Sequence, residues 1–217
     1  EFRRVLFRSL LERAWPVTAL ELDERMIDLL RTEIDDPRFA IERADLARTD
    51  FVALLDARRT VFVGNLPYQV TSPVLFGLLP ALRDPRVAGA VVMVQAEVAQ
   101  RMVATPGGKT YGVLSVMLQA ELEISRVTRV APSCFVPPPA VDSAVVRLTP
   151  RRDTVELDDD GRALVKDLFG QRRKQIGGVL RRRAEVGVEA VDRALARAGL
   201  DPARRPETLS VDDFVRL

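Results

Sequence analysis

Histidine is absent from the 217 residues, and cysteine occurs once, at Cys134. Without histidine there is no Ser-His-Asp or Cys-His pair, and most zinc sites lose a ligand. Any chemistry must then rest on positioning, carboxylates, amides or a bound cofactor. A lone cysteine excludes an internal disulfide framework and a multi-cysteine metal centre, and it agrees with a reducing compartment. No metal site is expected. No apolar run reaches the roughly 18 residues that a membrane span needs, and the N-terminus lacks the apolar segment and small-residue cleavage site of a secretory signal. The chain reads as cytoplasmic, with no membrane partner. A dominant charge sign is missing too, the net charge being only +2, so a polyanion partner has to be argued from clustering. Finally, no glycine precedes Gly64.

What the chain does have is 47% hydrophobic and 29% charged residues, enough for one globular domain with an appendage or for two small ones. Short runs rich in apolar and β-branched residues read as buried strands: VTALEL (17–22), FAIERAD (39–45), TVFVGN (60–65) and VAGAVVMVQ (87–95). Helical patterns lie between them. DERMIDLLRTEI (23–34) is apolar at 26, 27, 29, 30 and 34, and TSPVLFGLLPAL (71–82) offers Ser72 as N-cap with Pro73 at the first helical position. This alternation predicts an α/β fold with a mostly parallel, Rossmann-like sheet covered on both faces. ELEISRVTRV (121–130) and DSAVVRLTP (142–150) have no helix between them and are expected to pair antiparallel at one edge. Past Pro150 the pattern becomes helical, at roughly 158–170, 172–184, 188–199 and 210–216, with a domain boundary near 151–157.

Ligands of open α/β sheets sit beyond the carboxyl ends of the strands. There the sequence places Glu21 and Asp23, then Asp45, then Asn65. Strand-end acids are commonly caps, but they can also accept from ribose hydroxyls or an adenine amine. The stretch VFVGNLPYQV (61–70) is more specific, because a proline must end the strand and a rigid turn follows that carries an amide and an aromatic ring. The Asn65 side-chain oxygen and the Leu66 carbonyl can accept both N–H groups of an exocyclic adenine amine, with Pro67 holding their aim and Tyr68 stacking on the base. Such a base must leave its own stack to be reached. Since stacking needs only the ring, Tyr68→Phe is expected to be tolerated. An ordinary Asn-Pro turn is the alternative.

RRKQIGGVLRRR (172–183) holds six basic side chains and no acidic one, while ELDDD just upstream holds four carboxylates. Arg172, Arg173, Lys174, Arg181, Arg182 and Arg183 form either a phosphate-binding patch or a solvated helix face.

GNLPYQVTSPVLFGLL resembles the amine-acceptor motif of the rRNA adenine N6-dimethyltransferases of the kasugamycin-resistance type. VVMVQAEVAQRMVATPGGKTYGVLSV (91–116), CFVPPPAVDSAVVRL (134–148), FGQRRKQIGGVLR (169–181) and RRPETLSVDDFVRL (204–217) resemble later blocks of that family in the same order. The resemblance implies a Rossmann-like methyltransferase domain with a small helical, RNA-binding C-terminal domain. It implies S-adenosylmethionine as cofactor, and as substrate two adjacent adenines in the 3′-terminal hairpin of small-subunit (16S) rRNA in an immature subunit, methylated by a monomer. By motif, Glu21 is the ribose-binding acid and Asp45 the adenine-binding acid, with Leu46 beside it. Asn65, Leu66, Pro67 and Tyr68 form the catalytic loop, Asn65 also touching cofactor, and Phe135 faces the other side of the base, a core phenylalanine being the alternative. Two rival readings are a large-subunit rRNA adenine methyltransferase of the macrolide-resistance type and a non-catalytic ribosome-assembly or transcription factor on the same fold. Coverage runs from about residue 10. Residues 1–9, EFRRVLFRS, match nothing expected and read as foreign sequence, and 10–150 would then be a methyltransferase domain without its first strand and glycine loop. On that reading the chain binds cofactor poorly and has little activity.

Overall fold

A computed structural model describes residues 2–13, 15–151, 157–183 and 187–217, with side chains described from Val5 onward. Two parallel strands, β1 (Val17–Glu21) and β2 (Phe39–Arg43), pair from Val17 opposite Phe39 to Glu21 opposite Arg43. Between them runs α2 (Glu24–Glu33), started by Asp23, whose carboxylate accepts from the Arg25 amide at 3.0 Å. A second parallel pair joins β3 (Thr60–Asn65) to β4 (Val87–Gln95) through α3 (Thr71–Arg83). Antiparallel to β4 lies β6 (Ser143–Pro150), and the edge strand β5 (Leu122–Val130) pairs antiparallel with β6, giving the order β3-β4-β6-β5. The expected antiparallel edge pair is therefore present. The single mostly parallel sheet is not. β1-β2 and β3-β4-β6-β5 are separate hydrogen-bonded sheets, and among the described residues neither β1 nor β3 pairs with the other. On one face of β3 Val61 and Val63 are exposed.

Three apolar clusters hold these elements. Helix α1 (Phe2–Glu12) takes in residues 2–9, part of the stretch expected to be foreign; its Leu11 is buried with Leu30 and Ile34, and its Phe7 ring lies 5.6 Å from Phe39. The largest cluster fills the space between the four-stranded sheet and α3, α4 (Ala96–Met102) and α5 (Val113–Gln119). Leu20 of β1 and Leu46 pack against its margin, so apolar contact, rather than a hydrogen-bond ladder, bridges the two sheets. The third cluster belongs to α6 (Asp159–Gly170), α7 (Ile176–Arg183), α8 (Val188–Ala198) and α9 (Val211–Arg216). Helix α5 serves both of the larger cores: Leu114 and Leu118 face the sheet, while Val116 and Met117 face the C-terminal helices. Most of the boundary expected at 151–157 lies outside the described residues.

Two helix starts differ from expectation. Helix α3 begins at Thr71, which places Pro73 third in the first turn, where its missing amide still costs no intrahelical bond. Helix α7 begins only at Ile176, leaving Arg172, Arg173 and Lys174 in a turn rather than on a helix. The first amides of α7 are satisfied from another loop, Ile176 N donating to Arg204 O at 2.8 Å and Gly177 N to Pro202 O at 3.0 Å. Gly177 is needed there, because a Cβ would stand 2.6 Å from Pro202 Cβ.

Candidate functional site

The loop after β3 is held from both sides. Leu66, buried, donates its amide to Met93 O at 3.1 Å and so extends the β3–β4 pairing one residue past Asn65. Pro67 then turns the chain, and its carbonyl accepts from Val70 N at 3.2 Å and from the hydroxyl of the buried Thr71 at 3.0 Å. Backbone aim at this turn is thus fixed by proline stereochemistry and by two hydrogen bonds to one carbonyl. Asn65 is exposed at the strand end and Tyr68 is half-buried beside it.

The Tyr68 hydroxyl lies 2.7 Å from the Ser143 hydroxyl, 75 residues away. Ser143 begins β6, paired with Gln95 on one side and Val130 on the other, and its exposure is 0%. The connection between Val130 and Ser143 carries Phe135, half-buried, after a short turn (Pro132–Cys134) in which Phe135 N donates to Pro132 O at 3.1 Å. Val130 and Ser143 are register partners, so this connection closes at the same sheet end where Tyr68 is anchored. Its C-terminal side is pinned as well. Ala96 N donates to Asp142 O at 2.9 Å, and Arg129 Nη2 donates to Asp142 Oδ2 at 2.6 Å, a hydrogen bond that pushes the Arg129 pKa up.

The expected cofactor acids end β1 and follow β2. Glu21 Oε1 accepts from Leu22 N at 2.9 Å and Asp23 N at 3.0 Å, and Asp45 Oδ1 accepts from Ala47 N at 3.0 Å. Ala44 N donates to Glu21 O at 2.9 Å, which places Asp45 next to the end of β1. Two neighbouring carboxylates at strand ends form an acceptor set matched to the hydroxyls and amine of a nucleoside. Among the described residues no group of three or more carboxylates and thiols is placed to hold a metal. No helix among them is long and apolar enough to cross a membrane.

The six basic residues are not equivalent. Arg172 donates to Lys109 O at 3.0 Å and Gly108 O at 3.1 Å, tying the turn before α7 to the loop before α5. Arg181 pairs with Asp192 at 2.7 Å, Arg183 with Asp167 at 2.8 Å, and Arg182 donates to Gln171 Oε1 at 2.9 Å. Arg173 and Lys174 are exposed in the turn. A shallow cavity of about 360 Å³ lies nearby, lined by Lys166, Asp167, Gln171, Arg182 and Arg183.

Residues 5–217 match a family model described as ribosomal RNA adenine dimethylase. The chain belongs to the ribosomal RNA adenine dimethylase family. The match starts within α1, earlier than the residue 10 expected from motifs. The chain is 40% identical over 212 residues to a Ribosomal RNA small subunit methyltransferase A of Desulfitobacterium hafniense, covering 97% of this chain and 76% of the relative. It is 40% identical over 215 residues to the protein of that name in Laribacter hongkongensis, with 98% and 79% covered. A crystal structure of a dimethyladenosine transferase from Plasmodium falciparum superimposes with a TM-score of 0.77 at 23% identity, over 92% of this chain and 79% of that one. A crystal structure of the 23S rRNA methyltransferase ErmE gives 0.66 at 25% identity over the same shares. The fold of this dimethylase-family chain is thus a Rossmann-like methyltransferase sheet with a helical C-terminal part. Its sequence motifs lead to Asn65, Tyr68 and Phe135 but not to Ser143. The available signal is a small hydroxyl residue at the start of a strand that continues with Ala144, Val146 and Leu148 in the core.

Proposed function

We propose that the chain dimethylates the exocyclic amines of two adjacent adenines in the 3′-terminal hairpin of small-subunit rRNA, acting as a monomer on an immature subunit. The observation that carries this reading is the rigid Asn65–Tyr68 turn at the end of β3, with its proline carbonyl doubly hydrogen-bonded and its aromatic ring anchored. Asn65 Oδ1 and the Leu66 carbonyl accept the two N–H groups of the target amine, turning its lone pair away from the ring π system. Tyr68 stacks on one face of the flipped base and Phe135 closes the other. Glu21 and Asp45, with Leu46, would hold the nucleoside half of S-adenosylmethionine, which supplies the electrophilic methyl group when bound.

The test is methyl transfer at saturating S-adenosylmethionine, with immature small subunits and large subunits offered in parallel. The expected product is dimethyladenosine at two adjacent positions near the 3′ end of the small-subunit rRNA. Methyl groups recovered only in large-subunit rRNA would favour the second reading, for which the similarity to a 23S rRNA methyltransferase speaks. Binding of small subunits without any transfer would favour a non-catalytic assembly factor.

A further inference from the structure

We infer that Ser143 is a positioning residue for base capture, holding the Tyr68 ring in its stacking orientation before RNA arrives; this rests on the reading of Tyr68 as the stacking platform. Tyr68 follows β3 and Ser143 opens β6, so the 2.7 Å bond between their hydroxyls joins two segments that share no ladder hydrogen bonds with each other. The two ends of the bond differ in freedom. Tyr68 is half-buried in the loop after β3, whereas Ser143 is fully buried, flanked by Gln95 and Val130 and fixed by pairing on both sides. Ser143 is thus the fixed end and Tyr68 the held end.

A second consequence follows from where Ser143 sits. The same residue ends the connection that carries Phe135, and the preceding Asp142 is tied to Ala96 N and Arg129. One buried hydroxyl therefore sets the spacing between a ring on the β3 loop and the connection bearing the opposite ring. A slot for a planar base needs that spacing fixed in advance, because a ring that must be ordered on binding loses affinity to the ordering. The bond also revises the expectation that Tyr68→Phe is harmless. A phenyl ring still stacks, but it leaves the buried Ser143 hydroxyl without its partner and frees the ring.

Two readouts test this on the intact chain. The first is spectroscopic and independent of RNA. The protein has two tyrosines, Tyr68 and Tyr111, so labelling the tyrosine Cζ with 13C gives one signal for each. Ser143→Ala should shift the Tyr68 signal and leave that of the buried Tyr111 in place, and Ser143→Thr, which restores a hydroxyl, should return it. The second readout is the fluorescence response of a hairpin RNA carrying 2-aminopurine at the target position. Ser143→Ala and Tyr68→Phe should each raise the protein concentration needed for half the response by up to roughly tenfold, the cost of ordering one side chain on binding. The double variant should be no worse than either single one. If Ser143→Ala folds poorly, Tyr68→Phe removes the same bond from its accessible end. A Tyr68 signal unmoved by Ser143→Ala, or losses that multiply in the double variant, would overturn the role of Ser143. A wild-type chain that leaves the probe unchanged would instead overturn base capture by Tyr68.

Discussion

Glu121 receives both arms of the Arg83 guanidinium, at 2.7 Å from Nε to Oε2 and 3.0 Å from Nη2 to Oε1. Arg162 of α6 reaches Oε1 at 3.5 Å, so one carboxylate with 5% exposure joins the end of α3, the start of β5 and the first C-terminal helix. The carboxylate is buried while both guanidiniums are part-exposed, and Arg162 also donates to Leu157 O at 2.9 Å, so losing Glu121 costs charge-assisted hydrogen bonds rather than stranding a charge away from water.

Glu121→Ala is expected to destabilise the fold by about 1.5–3 kcal/mol, the loss of charge-assisted hydrogen bonds from guanidiniums whose side chains are 33% and 27% exposed. Asp28→Ala is the control, since its 4.0 Å contact with Arg31 is solvent-exposed and such a pair contributes less than about 0.5 kcal/mol. Urea unfolding midpoints of the two variants should separate clearly, and equal midpoints would remove Glu121 from its joining role.

Asn65→Ala should leave stability near wild type, because Asn65 is exposed at a strand end. Single-turnover methyl transfer should fall by roughly a hundredfold or more, the usual loss for one preorganised polar contact at a reacting centre. Near-normal transfer would show that the amine is held by other groups.

Arg173 and Lys174 should carry the salt dependence of RNA binding. Neutralising both should lower the log–log slope by roughly 0.7–0.9 for each phosphate that the variant no longer neutralises. Neutralising Arg181 or Arg183, each paired with an aspartate, should change the slope less and stability slightly more. Equal slopes for all variants would return the cluster to a solvated surface.

Asp213 sets a pH dependence. Its burial alone would raise its pKa, but hydrogen bonds from the Ser210 amide at 2.9 Å and from Arg204 at 3.1 Å, with Arg216 also paired, hold it below the ordinary 3.8. A carboxyl lowered by folding contributes fully above 3.8, and its contribution disappears as pH falls through the lower folded value. Stability of the wild type should therefore drop on acidification below about pH 4. Asp213→Asn should be less stable at pH 7 and show a shallower acid limb in chemical denaturation. An identical acid limb would place the titrating group elsewhere.

Local features of this chain are legible in its sequence. Each strand among the described residues coincides with a run of apolar and β-branched residues, and the turn after β3 with Asn65 and Pro67, because these preferences act over a few neighbouring residues. The acids at Glu21 and Asp45 follow from the same strand ends. Helices α4 and α5 are not legible in this way, since α5 is seven residues long and buried nearly all round, which removes the amphipathic period. Tertiary structure alone decides that the turn holding Arg172 breaks off before α7, because Arg172 bonds to Gly108 and Lys109, 64 and 63 residues away. It alone decides that the strands among the described residues form two sheets, and that Tyr68 is anchored by Ser143. Such pairings depend on which distant segments meet and in what register, and that is set by packing of the whole chain rather than by the residues on either side.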